Sequence, residues 1–211
     1  YEKKAGGYRL NTDFKEEKFD FGRMFGFAYG EKENGAVFSH MAVMYANALY
    51  KRGFIKEGYK VLKNLLDSAM DFENSIMYPG IPEYFDNDGR GLYAYLTGAA
   101  SWYMLTMITE VFGVRGELGN LVIKPALLPE QFDKDGKAAI KLNFSGRTLK
   151  ITIHADIDNI QDNNGVYNKI IRVECDGNEL ESADLKKVVI MKKRIEEMSC
   201  GRCHEIDVFI K

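Results

Sequence analysis

The apolar residues of this chain change their spacing once, near Gly113. Before that point they recur at the spacing of amphipathic helices. After it they alternate with polar residues, as in 138–144 and 149–154, and a Ser145-Gly146 turn separates these two segments as in a β-hairpin. We therefore predict an α+β chain, in which a helical part precedes an antiparallel β-sandwich-like part.

Three helices are predicted before the change of spacing, over 39–51, 55–72 and 97–112. Ser39 is the expected N-cap of the first helix, and Gly53 its expected stop, so the first two helices should form an antiparallel hairpin. The third helix is apolar on nearly all sides, as in a buried helix. Three helices make a poor core on their own, so we expect the third to pack against further helices of a larger helical toroid.

The β part should contain more strands than the hairpin. Short apolar or alternating segments predict them at 121–123, 169–175, 186–191 and 204–210, with a turn at 176–178. The boundary between the two parts should fall between Gly113 and Gly119.

Net charge limits the partners that this protein can bind, and cysteine content indicates its redox compartment. The formal net charge is −2, which gives no electrostatic footprint for nucleic acid or an anionic membrane. No apolar run approaches the roughly 20 residues that span a bilayer. The three cysteines are an odd number, which favours a reducing compartment over a disulfide framework. We therefore expect a cytoplasmic protein with neither nucleic acid nor membrane as its partner.

The segment Cys200-Gly201-Arg202-Cys203-His204 fits the pattern of c-type haem attachment. It lies at the edge of a predicted strand, and nothing in the sequence suggests an export signal or a distal ligand, so we reject haem. A zinc site would need two more ligands, and this part of the chain offers only Cys175 and His154. We expect neither a cofactor nor a bound metal.

Two polar, glycine-containing segments lead into predicted helices, at 31–40 and 93–102. Free backbone N–H groups and the helix dipole favour an anion at such a helix start. Aromatic residues mixed with carboxylates favour a sugar. His40 is a candidate anion ligand or a hydrogen-bonded structural residue, and Thr97 can act as an N-cap, as an anion ligand or as both.

The loop between these segments contributes further candidates. Glu83 and Tyr84 follow the loop segment Pro79-Gly80-Ile81-Pro82. Their side chains are equally expected to contact a sugar or to stabilise the loop. Arg90 is either a second anion donor or a solvated side chain. Trp102 lies on the apolar third helix, where packing is a better expectation than stacking on a sugar.

The two segments carry a family resemblance. Lys32-Glu33-Asn34-Gly35-Ala36-Val37-Phe38-Ser39-His40 resembles the E-N-G-G/A-x-F/Y-x-H segment of the cellobiose and chitobiose phosphorylase family, glycoside hydrolase family 94. Tyr95-Leu96-Thr97-Gly98-Ala99-Ala100-Ser101-Trp102 resembles its W/Y-L-T-G-S/A-A-S-W segment. The order and separation of the two segments match the family, and the resemblance covers nearly all of residues 7–130.

The resemblance implies a multidomain fold. Residues 1–118 would be the closing helices of an (α/α)6 barrel, the catalytic domain, and residues 119–211 a C-terminal antiparallel β-sandwich. Complete members of the family also have an N-terminal β-sandwich and the first part of the barrel. We therefore expect these helices to pack against an N-terminal part of the same protein. Whether the protein forms a homodimer is an open question at the level of the sequence.

The resemblance also implies a chemistry, inverting phosphorolysis of a β-linked glucoside to α-glucose 1-phosphate. Inorganic phosphate, as co-substrate, takes the place that water has in an inverting hydrolase. His40, Thr97 and Gly98 match phosphate-binding positions, and Lys32 and Glu33 match positions that line the sugar subsites. The family's catalytic aspartate lies in an upstream motif that is absent here. We therefore expect no catalytic residue in this chain and no activity from the chain alone.

Several assignments stay open at this point. The substrate could be a disaccharide or a longer glucooligosaccharide, such as a β-1,2-linked one, and the parent could be the related domain of a cyclic β-1,2-glucan synthase. A non-catalytic carbohydrate-binding or scaffold module is an alternative of another class. A hydrolase on the same toroid is a third, and phosphate dependence would separate it from a phosphorylase.

Overall fold

The computed structural model describes residues 1–2, 7–78, 80–94, 98–155, 169–180 and 186–211. They form two compact units, Tyr1–Thr106 and Met107–Lys211. The first is helical with one small sheet, and the second is rich in β-strands, as the change of spacing predicts. The helices of the described ranges do not close into a barrel, so the (α/α)6 fold and the domain division at residue 118 stay predictions. Thr97 lies outside the described residues.

The first two helices form the predicted hairpin. Helix α1 spans Ser39–Lys51 and helix α2 spans Ile55–Met70. The turn between them depends on Gly53, whose φ of +83° is a conformation that glycine adopts without strain. A further short helix, α3, spans Phe72–Ser75 and is capped by the side chain of Asp71.

Phe38, not Ser39, is the N-cap of α1, so the prediction of Ser39 as the cap is wrong. The reason is that strand β1, Val37–Phe38, runs directly into the helix. The backbone N–H of Ser39 donates instead to the carbonyl of Glu83, at 2.9 Å. A backbone contact from the loop therefore takes the place of a side-chain cap.

Strand β1 belongs to a small antiparallel sheet with the order β1-β2-β3, in which β2 is Tyr84–Phe85 and β3 is Gly91–Leu92. The predicted loop at Glu83 and Tyr84 is thereby held beside the start of α1. The core of this unit consists mainly of aliphatic side chains from α1 and α2 together with Phe85: Ala42, Val43, Ala46, Val61, Leu62, Leu65 and Ala69.

Helix α4 spans Gly98–Thr106 and packs on α1. A buried hydrogen bond of 3.2 Å joins Asn47 Nδ2 to Thr106 Oγ1. The predicted helix extends to residue 112, but the α-helix ends at Thr106, and Met107–Val111 of the second unit form a π-helical turn.

The strands of the second unit are β4 (Val114–Glu117), β5 (Asn120–Ile123), β6 (Lys137–Phe144), β7 (Arg147–Ala155), β8 (Ile170–Cys175), β9 (Asn178–Glu179), β10 (Val188–Ile190) and β11 (Cys203–Ile210). They form two sheets, one with the order β10-β5-β4 and one with the order β6-β7-β11-β8-β9. Helix α5, Lys192–Glu197, lies between β10 and β11 in the chain. Short 3-10 helices span Phe19–Gly26 in the first unit and Pro129–Gln131 in the second.

The larger sheet is mixed, which corrects the prediction of a purely antiparallel module. Strands β7 and β11 pair in parallel, with Ile151 opposite Ile206 and Ile153 opposite Val208. All four of these side chains are buried. Alternation along each strand predicts which residues face the core, but it is the same for either strand direction, so the sequence does not reveal the parallel pair.

None of the helices in the described ranges combines the length and the apolar composition that a membrane crossing requires.

The third predicted helix exposes part of its apolar surface. Met104 and Leu105 of α4 are 60% and 46% exposed. In a chain that lacks the other helices of a toroid, the third helix is expected to expose Met104, Ile108 and Val111. This expectation is wrong for Val111, which is buried in the second unit, where its carbonyl accepts the N–H of Ala126 at 2.8 Å. Ile108 is half-buried.

We expect the chain to self-associate through α4, because exposed apolar patches drive association. Met104→Gln should lower the average mass of the chain in sedimentation equilibrium. Met70→Gln is the matched control, since Met70 on α2 is exposed to a similar extent, 58%. A wild-type chain that stays monomeric at high concentration, or an equal effect of the two substitutions, would contradict this.

Candidate functional site

The segment before α1 is closed by Asn34, a buried amide. Its side-chain Nδ2 donates to the carbonyl of Phe27 at 2.8 Å, and its backbone carbonyl accepts the N–H of Gly30 at 2.6 Å. Its own N–H donates to the carbonyl of Glu31 at 2.9 Å. These hydrogen bonds close a tight loop, and residues 31–33 lie within it.

Gly35, the next residue, is required by the packing of this loop. Its φ is +79°, and a Cβ added there would lie 2.2 Å from the ring of Tyr29. Arg9 lies over the same ring, 5.4 Å from its centroid. Its guanidinium donates to the Gly35 carbonyl at 2.7 Å and to Asn87 Oδ1 at 2.8 Å. A side chain at position 35 would therefore displace Tyr29.

Tyr84 joins the loop to the small sheet. Its hydroxyl donates to Glu31 Oε2 at 2.7 Å. Its ring stacks on Phe38 at a centroid distance of 6.3 Å. Burial raises the pKa of Tyr84 above its usual range, and the hydrogen bond to the Glu31 carboxylate raises it further. The hydroxyl therefore stays protonated and is committed to Glu31, so Tyr84 braces the loop.

Lys32 and Glu83 face one another across the same region. Lys32 Nζ lies 3.7 Å from Glu83 Oε2 and 4.0 Å from the centroid of the Tyr93 ring. Glu83 Oε2 is buried, yet it has no hydrogen-bond partner among the described residues. This group combines a cation, a carboxylate and an aromatic face, which is the set of groups that binds sugar hydroxyls and sugar ring faces.

Glu33 has a comparable arrangement. One of its carboxylate oxygens pairs with Arg23 at 3.0 Å. The other, Oε2, is buried and has no hydrogen-bond partner within the described part of the chain. Buried carboxylate oxygens are normally satisfied, so an unpartnered one is a position where a ligand donor would be stabilised.

His40, the second residue of α1, is held against the start of α4. A Cβ on Gly98 would lie 2.6 Å from His40 Cε1, so only glycine allows this approach. The Trp102 ring lies on another side of the imidazole, with a centroid distance of 5.9 Å. The structure thus brings together the two segments that the sequence analysis selected.

One ring nitrogen of His40 lacks a hydrogen-bond partner among the residues that the structure describes. Its Nε2 is buried and makes no hydrogen bond to any described residue, and the same holds for the neighbouring Ser39 Oγ. A buried polar atom without a partner costs about 1–3 kcal/mol. Two such atoms beside the start of a helix are therefore suited to a polar or anionic ligand.

Not all predicted residues join this group. Arg90 is exposed, and its backbone N–H donates to Asp86 Oδ1 at 3.0 Å. No hydrogen bond or ion pair links its side chain to the other candidate residues that the structure describes. Thr97 precedes Gly98 directly, outside the described residues.

Sequence reasoning missed the residues that support the loop. Arg9, Tyr29, Glu31 and Asn87 position Gly35 and Tyr84, but they are distant in sequence and follow no pattern. Of these residues, only Glu31 lies in a segment with a recognisable pattern, since it is the first residue of the polar segment 31–40.

The remaining chemical groups do not form a metal centre. No cluster of three or more potential ligands occurs among the described residues. In the segment that resembles a haem motif, His204 is buried, and its two ring nitrogens are engaged by Asp176 and by the Ser199 carbonyl.

The comparisons with known proteins give one distant likeness. No family model matches the chain. A cellobionic acid phosphorylase of Neurospora crassa is 26% identical, over a match that covers 68% of this chain and 20% of the relative. The chain thus spans about a fifth of the length of this curated relative, and the likeness is to a phosphorylase.

We expect Gly98→Ala to destabilise the chain by about 1–3 kcal/mol, because the new methyl group would overpack against His40. Gly26→Ala is the control, since a Cβ at Gly26 meets nothing within 4 Å. Urea unfolding of the two variants measures the difference. Equal stabilities would show that the imidazole of His40 does not lie against Gly98.

Proposed function

We propose that these residues are the C-terminal part of an inverting glycoside phosphorylase, which cleaves β-linked glucosides with inorganic phosphate and releases α-glucose 1-phosphate. The observation that carries the proposal is the buried Nε2 of His40, which lies beside Gly98 at the start of α4 and has no hydrogen-bond partner in the described part of the chain. The distant likeness to a phosphorylase supports the reaction class. The resemblance of the two segments to one phosphorylase family supports the roles of the residues.

The geometry favours phosphate near His40. An imidazole N–H and the free N–H groups at the start of a helix are all donors, and an oxyanion accepts from each of them. Phosphate is already an anionic nucleophile, so the site needs donors and no general base. Thr97 adds a hydroxyl donor in this proposal, and Gly98 adds a backbone N–H.

The sugar is assigned to the neighbouring loop. Lys32, Glu33 and Glu83 would bind the hydroxyls of the glucoside, and Tyr84 would hold the loop in place through Glu31. Glu33 and Glu83 each have a buried oxygen without a partner among the described residues, and these oxygens would accept from hydroxyl groups but repel phosphate. In this proposal phosphate binds beside His40 at the start of α4, and the sugar binds at the loop that carries the two carboxylates. Arg90 stays a prediction from the sequence, as does the choice between a disaccharide and a longer glucan.

The location and partners of the parent protein are also proposals. All three cysteines are free thiols, which is consistent with a reducing, cytoplasmic compartment. The helices would be completed by an N-terminal part of the same protein. No cofactor is proposed besides phosphate as co-substrate.

We expect the purified 211-residue chain to have no phosphorolytic activity, because the general acid that protonates the leaving oxygen would be supplied from outside it. An assay for glucose 1-phosphate, with several β-linked glucosides and saturating phosphate, measures this. Phosphate-dependent release of product by the chain alone would contradict the assignment of the acid to another part of the protein.

In the complete enzyme, we expect Thr97→Val to raise the Michaelis constant for phosphate by roughly ten- to a hundredfold. The basis is that a hydrogen bond to a charged group contributes about 1.5–3 kcal/mol. The constant for the glucoside should change much less. His40→Ala should act in the same direction and also lower turnover, since phosphate would lose its orientation.

Thr12→Val is a matched control for the hydroxyl, because Thr12 is exposed in the same unit. It should leave both constants unchanged. If Thr97→Val or His40→Ala weakened glucoside binding while phosphate saturation stayed the same, these residues would line a sugar subsite instead.

A further inference from the structure

The second unit contains a groove of about 460 Å³ between the end of β8, helix α5 and the turn before β11. We call it the β-unit groove and define it by Asp176, Asn178, Arg194, Glu197, Arg202 and His204. Its volume lies within the range of small-molecule sites, about 300–1,000 Å³. None of the residues of the proposed phosphorylase site belongs to it.

Asp176 is the fixed centre of this groove. Its Oδ2 accepts from His204 Nδ1 and from an Arg202 Nη, each at 2.7 Å, and its Oδ1 accepts from the Glu205 N–H at 3.0 Å. Partial burial alone would raise the pKa of Asp176, but the hydrogen bonds from His204 and Glu205 outweigh it and hold the pKa below its usual value. The carboxylate is therefore ionised and already satisfied.

His204 is the buried member of this network. Its side chain is 1% exposed, and its Nε2 lies 3.0 Å from the carbonyl of Ser199 while Nδ1 faces Asp176. The oxygens of Asp176 are thus occupied by Arg202, His204 and the Glu205 backbone.

Two guanidinium groups line the groove together with the carboxylate of Glu197, and one of them, Arg202, also contacts Asp176. Arg202 and Arg194 are both exposed at its edge. On α5, Lys192 pairs with Glu196 at 3.6 Å, and the side chain of Arg194 makes a hydrogen bond with the Cys175 thiol. Glu197 is the acid of the groove besides Asp176. The groove therefore offers a site for an anionic group, since guanidinium groups bind phosphate in a bidentate manner.

We propose that the β-unit groove binds a sugar phosphate, with the phosphate at Arg194 and Arg202 and sugar hydroxyls at Glu197 and Asn178. Glu197 would repel the phosphate and accept from hydroxyls, which fixes the direction of the ligand. A phosphate ion alone would leave most of the volume empty. The choice of a sugar as the body of the ligand rests on the proposed function, because that reaction would release glucose 1-phosphate, whereas the anion site rests on the groove itself.

The test is a titration of the isotope-labelled 211-residue chain with glucose 1-phosphate, followed by amide NMR signals of Asn178, Gly201 and Arg202. We expect saturable shifts at these residues, weaker binding of inorganic phosphate, and no shifts with glucose. Arg194→Gln should weaken binding about tenfold or more, since it removes a charged partner of the phosphate. Lys193→Gln, the same change of charge on the neighbouring exposed residue of α5, should change it less than about twofold.

Three results would overturn the proposal: no saturable shift at the groove, equal weakening by Arg194→Gln and Lys193→Gln, or binding of glucose as strong as that of glucose 1-phosphate. Amide signals of β6, on the other edge of the sheet, report whether Arg194→Gln is folded, and Arg194→Lys, which keeps the charge, should retain more binding than Arg194→Gln. His40→Ala should leave binding at the groove unchanged. Failure of phosphorolysis in the complete enzyme would therefore be distinguishable from failure of this site.

Discussion

The close approach of Gly98 to the imidazole of His40 is the contact on which the candidate site depends. It fixes the start of α4 beside the start of α1, and it is possible only because position 98 has no side chain. The same contact removes Nε2 of His40 from solvent without giving it a partner among the described residues. A polar atom in that state is destabilising by itself, so its natural complement is a ligand that accepts or donates there.

The loop beside His40 is rigid for reasons that complement this contact. Asn34 closes the loop through backbone groups, Gly35 allows Tyr29 to pack on it, and Tyr84 anchors it through Glu31. These residues are committed to structure. In the proposed function Lys32, Glu33 and Glu83 bind the sugar, and the two carboxylates each have a buried oxygen without a partner among the described residues. Rigid support of this kind places binding groups without a loss of entropy when the ligand arrives.

The sequence predicted the elements better than their connections. The period of the apolar residues gave α1, α2 and most of the strands, because each period reflects one kind of buried face. It could not give the parallel pairing of β7 with β11, since alternation is the same in both directions. The sequence also did not predict how α1 begins. Strand β1 runs directly into the helix, so Phe38 is the N-cap and Ser39 is not. For the site, the two segments pointed to His40 and Gly98, but the support from Arg9 and Asn87 depends on tertiary contacts alone.

The most direct test of the account is a crystal structure of the complete enzyme with phosphate and a non-hydrolysable glucoside. We predict a phosphate oxygen within about 2.7–3.2 Å of His40 Nε2, near the N–H groups at the start of α4, with the sugar on the side of Lys32 and Glu83. A sugar hydroxyl at His40, with phosphate bound elsewhere, would contradict the central claim.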